Sequence, residues 1–367
     1  MVTVCRYVYS LRSFSVSVSR WATRRARFGG GSCARSGAGK SADARMSAMV
    51  KTSGAFRATW FAGWAVLVAA GLWYARWKGI PTWAALPALA AFLVEYPFYL
   101  VPAFRSVREE LAGRWLPAFL VASAVLPYLA CCLGATHFTW IGLCKIAAVA
   151  LLLALWYRVL PATPLTDIAF LALIVAVKIS KVLAPVYATR YKGVEIAVLG
   201  DLALFQIAVM VLMLDRRIRE TGYGFIPTRK DWRIGALHFL YFIPIGFGIA
   251  LGLKAVHLAR PGDPLKLAGY FLAWLFVLTL AEEFIFRGVL QQWIEEWTGN
   301  RNAALIVTSL LFGTVHLWFR TFPNWKWLII ASVLGWFCGR ARNQAGSIRA
   351  SMVTHTLVIT AWRAFFV

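Results

Sequence analysis

Apolar runs about as long as a bilayer is thick recur from residue 58 to the end of this chain, and they leave it few ways to fold. A helix of roughly 20 mostly apolar residues crosses the hydrocarbon core. The runs fall at about 59–75, 82–103, 116–134, 139–157, 165–184, 196–214, 234–253, 267–288, 303–318, 327–340 and 347–366. They predict an all-α fold, a polytopic transmembrane helical bundle of about 11 spans. Composition agrees. The chain is 60% apolar and 15% charged, with mean hydropathy +0.66, whereas soluble domains run nearer half and about a quarter. Many of the 18 Trp lie at the ends of the runs, as in an interfacial aromatic belt. A soluble globular domain is excluded.

A formal charge of +24 would suggest nucleic acid in a soluble protein. Here the basic residues gather in the N-terminal tail and the loops, where Lys and Arg set membrane orientation, and no nucleic-acid-binding module is recognisable. No nucleic-acid partner is expected. Cys5, Cys33, Cys131, Cys132, Cys144 and Cys338 show no metal-ligand spacing. They read as small buried hydrophobes, with no metal and no cofactor implied.

Residues 1–53 are rich in Arg, Ser and Gly, with Asp43 as their one acid. They are expected to form a disordered basic tail, either a presequence or an over-extended start preceding true initiation at Met46 or Met49. Ala34–Ser41 satisfies a relaxed phosphate-loop pattern but lacks the strand and helix such a loop needs. The longest hydrophilic interval, Asp215–Arg233, holds Arg216, Arg217, Arg219, Arg229, Lys230 and Arg233 and is expected on the cytoplasmic face. It divides an N-terminal transmembrane module of unassigned role, 54–230, from a second module, 231–367. The halves show no internal repeat, which disfavours a transporter built on duplication.

A charge at the bilayer centre costs a few kcal/mol even on lenient scales, so each one needs a reason. In the first module Glu95 and Asp201 read as helix-pairing residues joined to Lys145, while Lys178 and Lys181 snorkel toward an interface. A proton or ion path is the other reading of these residues. In the second module the run from Leu267 leads into Ala281-Glu282-Glu283-Phe284-Ile285-Phe286-Arg287-Gly288. Glu283 and Arg287 are four apart and share a helical face, while Glu282 points about 100° away. His316 follows Phe312 on the next run and His355 lies on the last. A lone His on an apolar helix is more often a satisfied core residue than a catalyst. Two of them on separate spans, in the module that holds two carboxylates, shift that weighting toward a base, an orienting imidazole and an oxyanion donor.

Glu282-Glu283-x-x-x-Arg287, then Phe312-x-x-x-His316, then His355, resembles the CPBP family of intramembrane glutamic endopeptidases. That family includes the type II CAAX prenyl proteases and the bacteriocin-immunity (Abi) proteins. The likeness covers residues 267–363. It implies an intramembrane glutamic endopeptidase that hydrolyses a peptide bond of a membrane-associated substrate, whether prenylated, bacteriocin-like or C-terminally anchored. By the same resemblance Glu282 is the base that activates water, His316 its orienting partner, and His355 an oxyanion stabiliser. Glu283 and Arg287 are the supporting pair, and Phe312 shapes the wall. The chain departs from the family at Ile359, where Asn or Asp often supplies a further oxyanion donor; Thr356 and Thr360 are near but at other spacings. That departure leaves open a non-catalytic immunity or scaffold protein. A zinc ligand set of Glu282, His316 and His355 is a variant without the HExxH spacing. The expected partners are membrane lipid and a peptide substrate, and the expected setting is a bacterial cytoplasmic membrane.

Overall fold

The computed structural model describes residues 35–191, 194, 196–259 and 262–366, with side chains described from residue 54. Most of the basic tail, residues 1–34, lies outside the described residues. Residues up to Lys51 form a unit of their own, and Thr52–Val367 form a second. The described chain is helical: α1 (Arg35–Lys78), α2 (Thr82–Leu100), α3 (Arg105–Glu110), α4 (Leu116–Cys131), α5 (Trp140–Val159), α6 (Pro164–Ile179) and α7 (Val198–Leu214). These are followed by α8 (Arg229–Gly252), α9 (Pro264–Thr298), α10 (Arg301–Thr314), α11 (Trp325–Ala345) and α12 (Ile348–Phe365).

All of the apolar runs read from the sequence lie on helices. Among the described residues, five helices are both long and apolar enough to cross a membrane: Gly54–Lys78, Thr82–Ala103, Trp140–Val159, Arg229–Gly252 and Pro264–Thr298. Leu116–Cys131 and Val198–Leu214 are apolar but shorter. Five of the roughly 11 expected spans therefore meet both conditions, and the chain is an all-α integral membrane protein.

The backbone is helical from Arg35, where coil was expected as far as residue 53. Ala, Met, Arg and Lys in that stretch are strong helix formers, and a helix once nucleated extends by one bond per residue. Residues 35–41 of the phosphate-loop-like stretch therefore lie on a helix rather than between a strand and a helix.

Within Thr52–Val367 two helices are the most deeply buried. α7 buries an unbroken run from Ala203 to Leu212 among α2, α4 and α5. α12 buries Ala350 to Thr356 among α8, α9 and α11. One apolar core draws on both halves of the sequence, from Leu120 and Val209 to Leu280, Phe284 and Met352. A second, built around Phe242, Phe312 and Leu334, belongs to the last five helices alone. α9 borders both. α8 changes to a π-turn at Ile243–Phe247, where Pro244 cannot donate to the carbonyl four residues back and its ring crowds it.

The expected pairing of Glu95 and Asp201 with Lys145 is not what forms. Asp201 pairs with Lys178, Lys145 is exposed, and neither carboxylate oxygen of buried Glu95 receives a hydrogen bond. The cause is packing order. α4 packs against both α2 and α5, and Lys145 on α5 is turned outward, away from Glu95. The loop after α7 is tied down by ion pairs: Arg216 to Asp167 at 2.7 Å through both nitrogens, Arg219 to Glu296 at 2.7 Å, and Arg158 to Asp215 at 3.0 Å. Asp167 belongs to α6, Glu296 to α9 and Arg158 to α5, so both halves of the chain are fixed to the same loop.

A cytoplasmic placement of that loop is tested by single Cys residues at Ile226, which is 74% exposed, and at Lys230 in a Cys-depleted background. Thr221 and Gly224 are buried and unsuitable. A membrane-impermeant maleimide is expected to label these positions only after permeabilisation; labelling of intact cells reverses the orientation.

Candidate active site

α9 carries both carboxylates near the middle of its 35 residues. Asp263 starts it by accepting the N–H groups of Leu265 at 2.9 Å and Lys266 at 3.3 Å, with Pro264 at the first helical position. Those backbone donors, Lys266 first, hold the exposed Asp263 carboxyl below the usual carboxylate range. Further along, Trp274–Leu278 and Phe284–Leu290 are π-helical and Thr279–Glu283 between them is α-helical. π-turns are usually single bulges and are frequent at functional sites. Here they flank the two glutamates.

Glu283 has no solvent exposure, yet its Oε1 accepts two hydrogen bonds: from Arg287 Nη1 at 3.0 Å and from His355 Nδ1 at 2.8 Å. Arg287 is equally buried and gives Nη2 to the Gly335 carbonyl of α11 at 3.1 Å. Its guanidinium carbon sits 4.4 Å from the centre of the Phe312 ring of α10, a cation–π contact. Hydrogen bonds within α9 and from α11 and α12 meet Glu283 Oε1 and both terminal guanidinium nitrogens, while Glu283 Oε2 and Arg287 Nε have no hydrogen-bond partner among the described residues. Gly335 is required by the approach. A Cβ there would stand 3.0 Å from the Ser309 Cα and 3.3 Å from Arg287 Nη2. α12 is brought to this point by a short turn: Gly346 takes φ 72° to end α11, and Ser347 caps α12 through the Arg349 N–H at 3.2 Å.

With Nδ1 bonded to Glu283, the His355 ring turns Nε2 toward Glu282 Oε2, 3.7 Å away. That is longer than a direct hydrogen bond. The Glu282 side chain keeps 31% exposure against 0% for Glu283, so the neighbouring acids occupy different environments. On the turn after α10, His316 bonds through Nδ1 to the Phe312 carbonyl at 2.8 Å. Phe312 lies between the two imidazoles, 4.8 Å from His316 and 5.5 Å from His355 between ring centres.

Glu282, His316 and His355 line one cavity of about 280 Å³, and Glu283 and Arg287 stand behind it. All five sequence-selected residues are thus brought together, from three helices. Sequence reasoning missed two contributors. One is the Gly335 carbonyl, which accepts from Arg287. The other is a Thr279–Thr356 hydroxyl pair at 2.8 Å that locks α9 to α12. Ile359 also lines the cavity, whereas Thr356 is engaged with Thr279 and Thr360 does not reach the cavity.

Among the described residues, Glu283, Cys338 and His355 place ligand atoms within 4.8 Å of one another. They fit a metal ion poorly. Glu283 Oε1 already holds a guanidinium and an imidazole, and a cation would have to sit beside the charge of Arg287.

Residues 264–360 match the family described as Type II CAAX prenyl endopeptidase Rce1-like. The match begins at the first turn of α9 and ends inside α12, so it encloses every residue of this site, while α1–α8 lie outside it. No curated relative and no solved structure matches the chain.

Removing one partner of a buried pair leaves the other uncompensated, at a cost of about 3–5 kcal/mol. Arg287→Ala is therefore expected to lower the thermal unfolding midpoint of the purified protein markedly. Gly335→Ala is expected to do so more mildly, by forcing α10 and α11 apart. A midpoint unchanged in Arg287→Ala would show that Glu283 does not depend on it.

Proposed function

We propose that this chain is an intramembrane endopeptidase that hydrolyses a peptide bond of a membrane-associated substrate, with Glu282 as the general base. The observation that carries this reading is the convergence of Glu282, His316 and His355 on one cavity, backed by a charged pair that faces away from it. The match of residues 264–360 to a prenyl endopeptidase family supports peptidase chemistry. A CAAX-type prenylated protein is the substrate class that follows from that likeness, and a bacterial cytoplasmic membrane is the setting.

The proton steps follow from the hydrogen bonds. His316 spends its Nδ1 proton on the Phe312 carbonyl, so a neutral ring offers the Nε2 lone pair to the cavity and can accept one O–H of the attacking water. Glu282 takes the other proton. The hydroxide oxygen bonds to the scissile carbonyl carbon, and the carbonyl oxygen becomes the oxyanion. His355 can meet that oxyanion through Nε2–H only as an imidazolium, because Nδ1–H is committed to Glu283. Glu283 is then the counter-ion of His355 and Arg287 together. With Glu282 ionised, the four groups sum to zero charge, which is what a site inside hydrocarbon requires. When the tetrahedral intermediate collapses, the proton held by Glu282 passes to the departing amine and both carboxylates return to their starting state.

Ile359 supports a second reading. It presents a hydrocarbon side chain to the cavity at the position where the family often carries a polar donor, as suits a non-catalytic member that holds a peptide without cutting it.

Cleavage of a membrane-embedded reporter separates the two. Glu282→Gln keeps the shape of the base but not its basicity, and activity is expected to fall by about a hundredfold or more, the scale of general-base catalysis. His355→Ala is expected to lose a similar factor through the oxyanion. Chelators are expected to change nothing, and Ile359→Asn to raise the rate. Full activity in Glu282→Gln would rule out the glutamate mechanism. Cleavage by neither the wild type nor Ile359→Asn would leave the binding role in its place.

A further inference from the structure

A second and larger cavity, of about 730 Å³, lies on the other side of α9 from the catalytic candidates. Its walls come from α1, α2, α7, the loop before α8, and the α9 face that carries Ala273 and Phe276. Two polar groups in it have no hydrogen bond. Glu95 is 1% exposed and both its carboxylate oxygens are unmet; the buried Tyr223 hydroxyl is likewise unmet. Burying such groups without partners is costly, and the expected Lys145 partner faces elsewhere. The wall beside Glu95 is aromatic. Phe225 stands 5.3 Å from Tyr99, 6.3 Å from Tyr223 and 6.5 Å from Phe276 between ring centres. The rest of the lining is almost wholly hydrocarbon. Val66 and Leu272, both lining residues, are 66% and 53% exposed, so the cavity opens toward the lipid-facing side of α1 and α9. Arg349, the one cationic lining residue, is already held by Asp231 at 3.3 Å.

A carboxylate without donors, aromatic faces around it and a large apolar volume describe one kind of ligand. The carboxylate asks for N–H donors on a cation, the rings attract that cation through their faces, and the remaining volume takes a hydrocarbon chain. We propose that this cavity binds an amphiphilic amine, an ammonium group on a long alkyl chain, with Glu95 as counter-ion and Tyr99, Tyr223 and Phe225 as the aromatic wall. The ligand enters laterally from the bilayer. A neutral lipid chain of equal length would fill the volume but leave Glu95 and Tyr223 unmet, so the charge is the basis of selection. The site is independent of peptide hydrolysis, and its test does not use cleavage.

Dodecylammonium carrying a photoreactive diazirine on its tail, and the matching alcohol, are presented to the full chain in phosphatidylglycerol nanodiscs, and the labelled peptides are mapped by mass spectrometry. The amine is expected to label the α2 and α9 walls at least about tenfold more than the alcohol, the scale of one charge-assisted hydrogen bond. Glu95→Gln is expected to remove that preference, and Ala273→Trp, which projects an indole into the cavity, to weaken labelling by both probes. Added phosphatidylethanolamine distinguishes the sources of the ammonium: competition assigns the site to a lipid headgroup, and its absence assigns it to a free single-chain amine. Equal labelling of the wild type by amine and alcohol overturns the proposal without any variant. So does undiminished preference for the amine in a Glu95→Gln protein that remains monodisperse.

Discussion

A carboxylate with no exposure can hold a charge inside an apolar bundle only where donors converge on it, and Glu283 Oε1 is such a point. Arg287 reaches it from one turn further along α9, and His355 reaches it from α12. Arg287 in turn holds α11 through Gly335 and lies against Phe312 of α10. Four helices are thereby fixed to one oxygen atom. Each contact is an electrostatic one in a low-dielectric interior, where it is stronger than in water and where its loss is correspondingly expensive. The geometry of the cavity follows from this anchor. Once His355 Nδ1 is committed to Glu283, Nε2 has to face Glu282, and the ring has no second orientation that keeps the bond.

The helices before the loop at 215 do not contribute to the site, yet they are not independent of it. Tyr99 of α2 donates its hydroxyl to the Phe276 carbonyl at 2.8 Å, a carbonyl belonging to the π-turn that precedes the glutamates. In a π-turn the helix hydrogen bonds are displaced, and such a carbonyl can take an outside donor. Arg219 pairs with Glu296 at the far end of the same helix. α9 is held on both sides of its two glutamates by residues outside the prenyl-endopeptidase-like segment, which gives those helices a mechanical connection to the candidate site.

The helices themselves were legible in the sequence because membrane-length apolar runs have a single backbone solution. So was the separation of Glu282 from Glu283, since adjacent residues on a helix point in different directions and Arg287 sits where it can reach only one of them. Contacts between helices were not legible. The bond from His355 to Glu283 joins residues 72 positions apart, and no local periodicity records which of two adjacent carboxylates an imidazole on another helix will choose. Lys145 failed as a partner for Glu95 for the same reason. Charge complementarity suggested the pair, but the order in which α2, α4 and α5 pack decided against it. The coil expected over 35–53 was misread because Gly and Ser were given more weight than the helix-forming residues between them.

One helix, α9, walls two cavities. Leu272, Ala273 and Phe276 face the larger cavity, while Leu278 and Glu282 face the smaller one. On a regular helix, at about 100° per residue, Leu278 stands roughly 160° from Phe276 and roughly 140° from Ala273, so both faces are available without any distortion. The π-turn at Trp274–Leu278 adds slack to this arrangement, and the one at Phe284–Leu290 adds it again beyond the glutamates. Between them Thr279–Glu283 is regular, and Thr279 is bonded to Thr356 across the interface with α12. The stretch that carries the carboxylates is therefore the regular part, set between two π-helical ones. The Thr279–Thr356 bond and the His355–Glu283 bond lie one turn apart on that regular stretch, and together they keep Glu282 and Glu283 in register with His355.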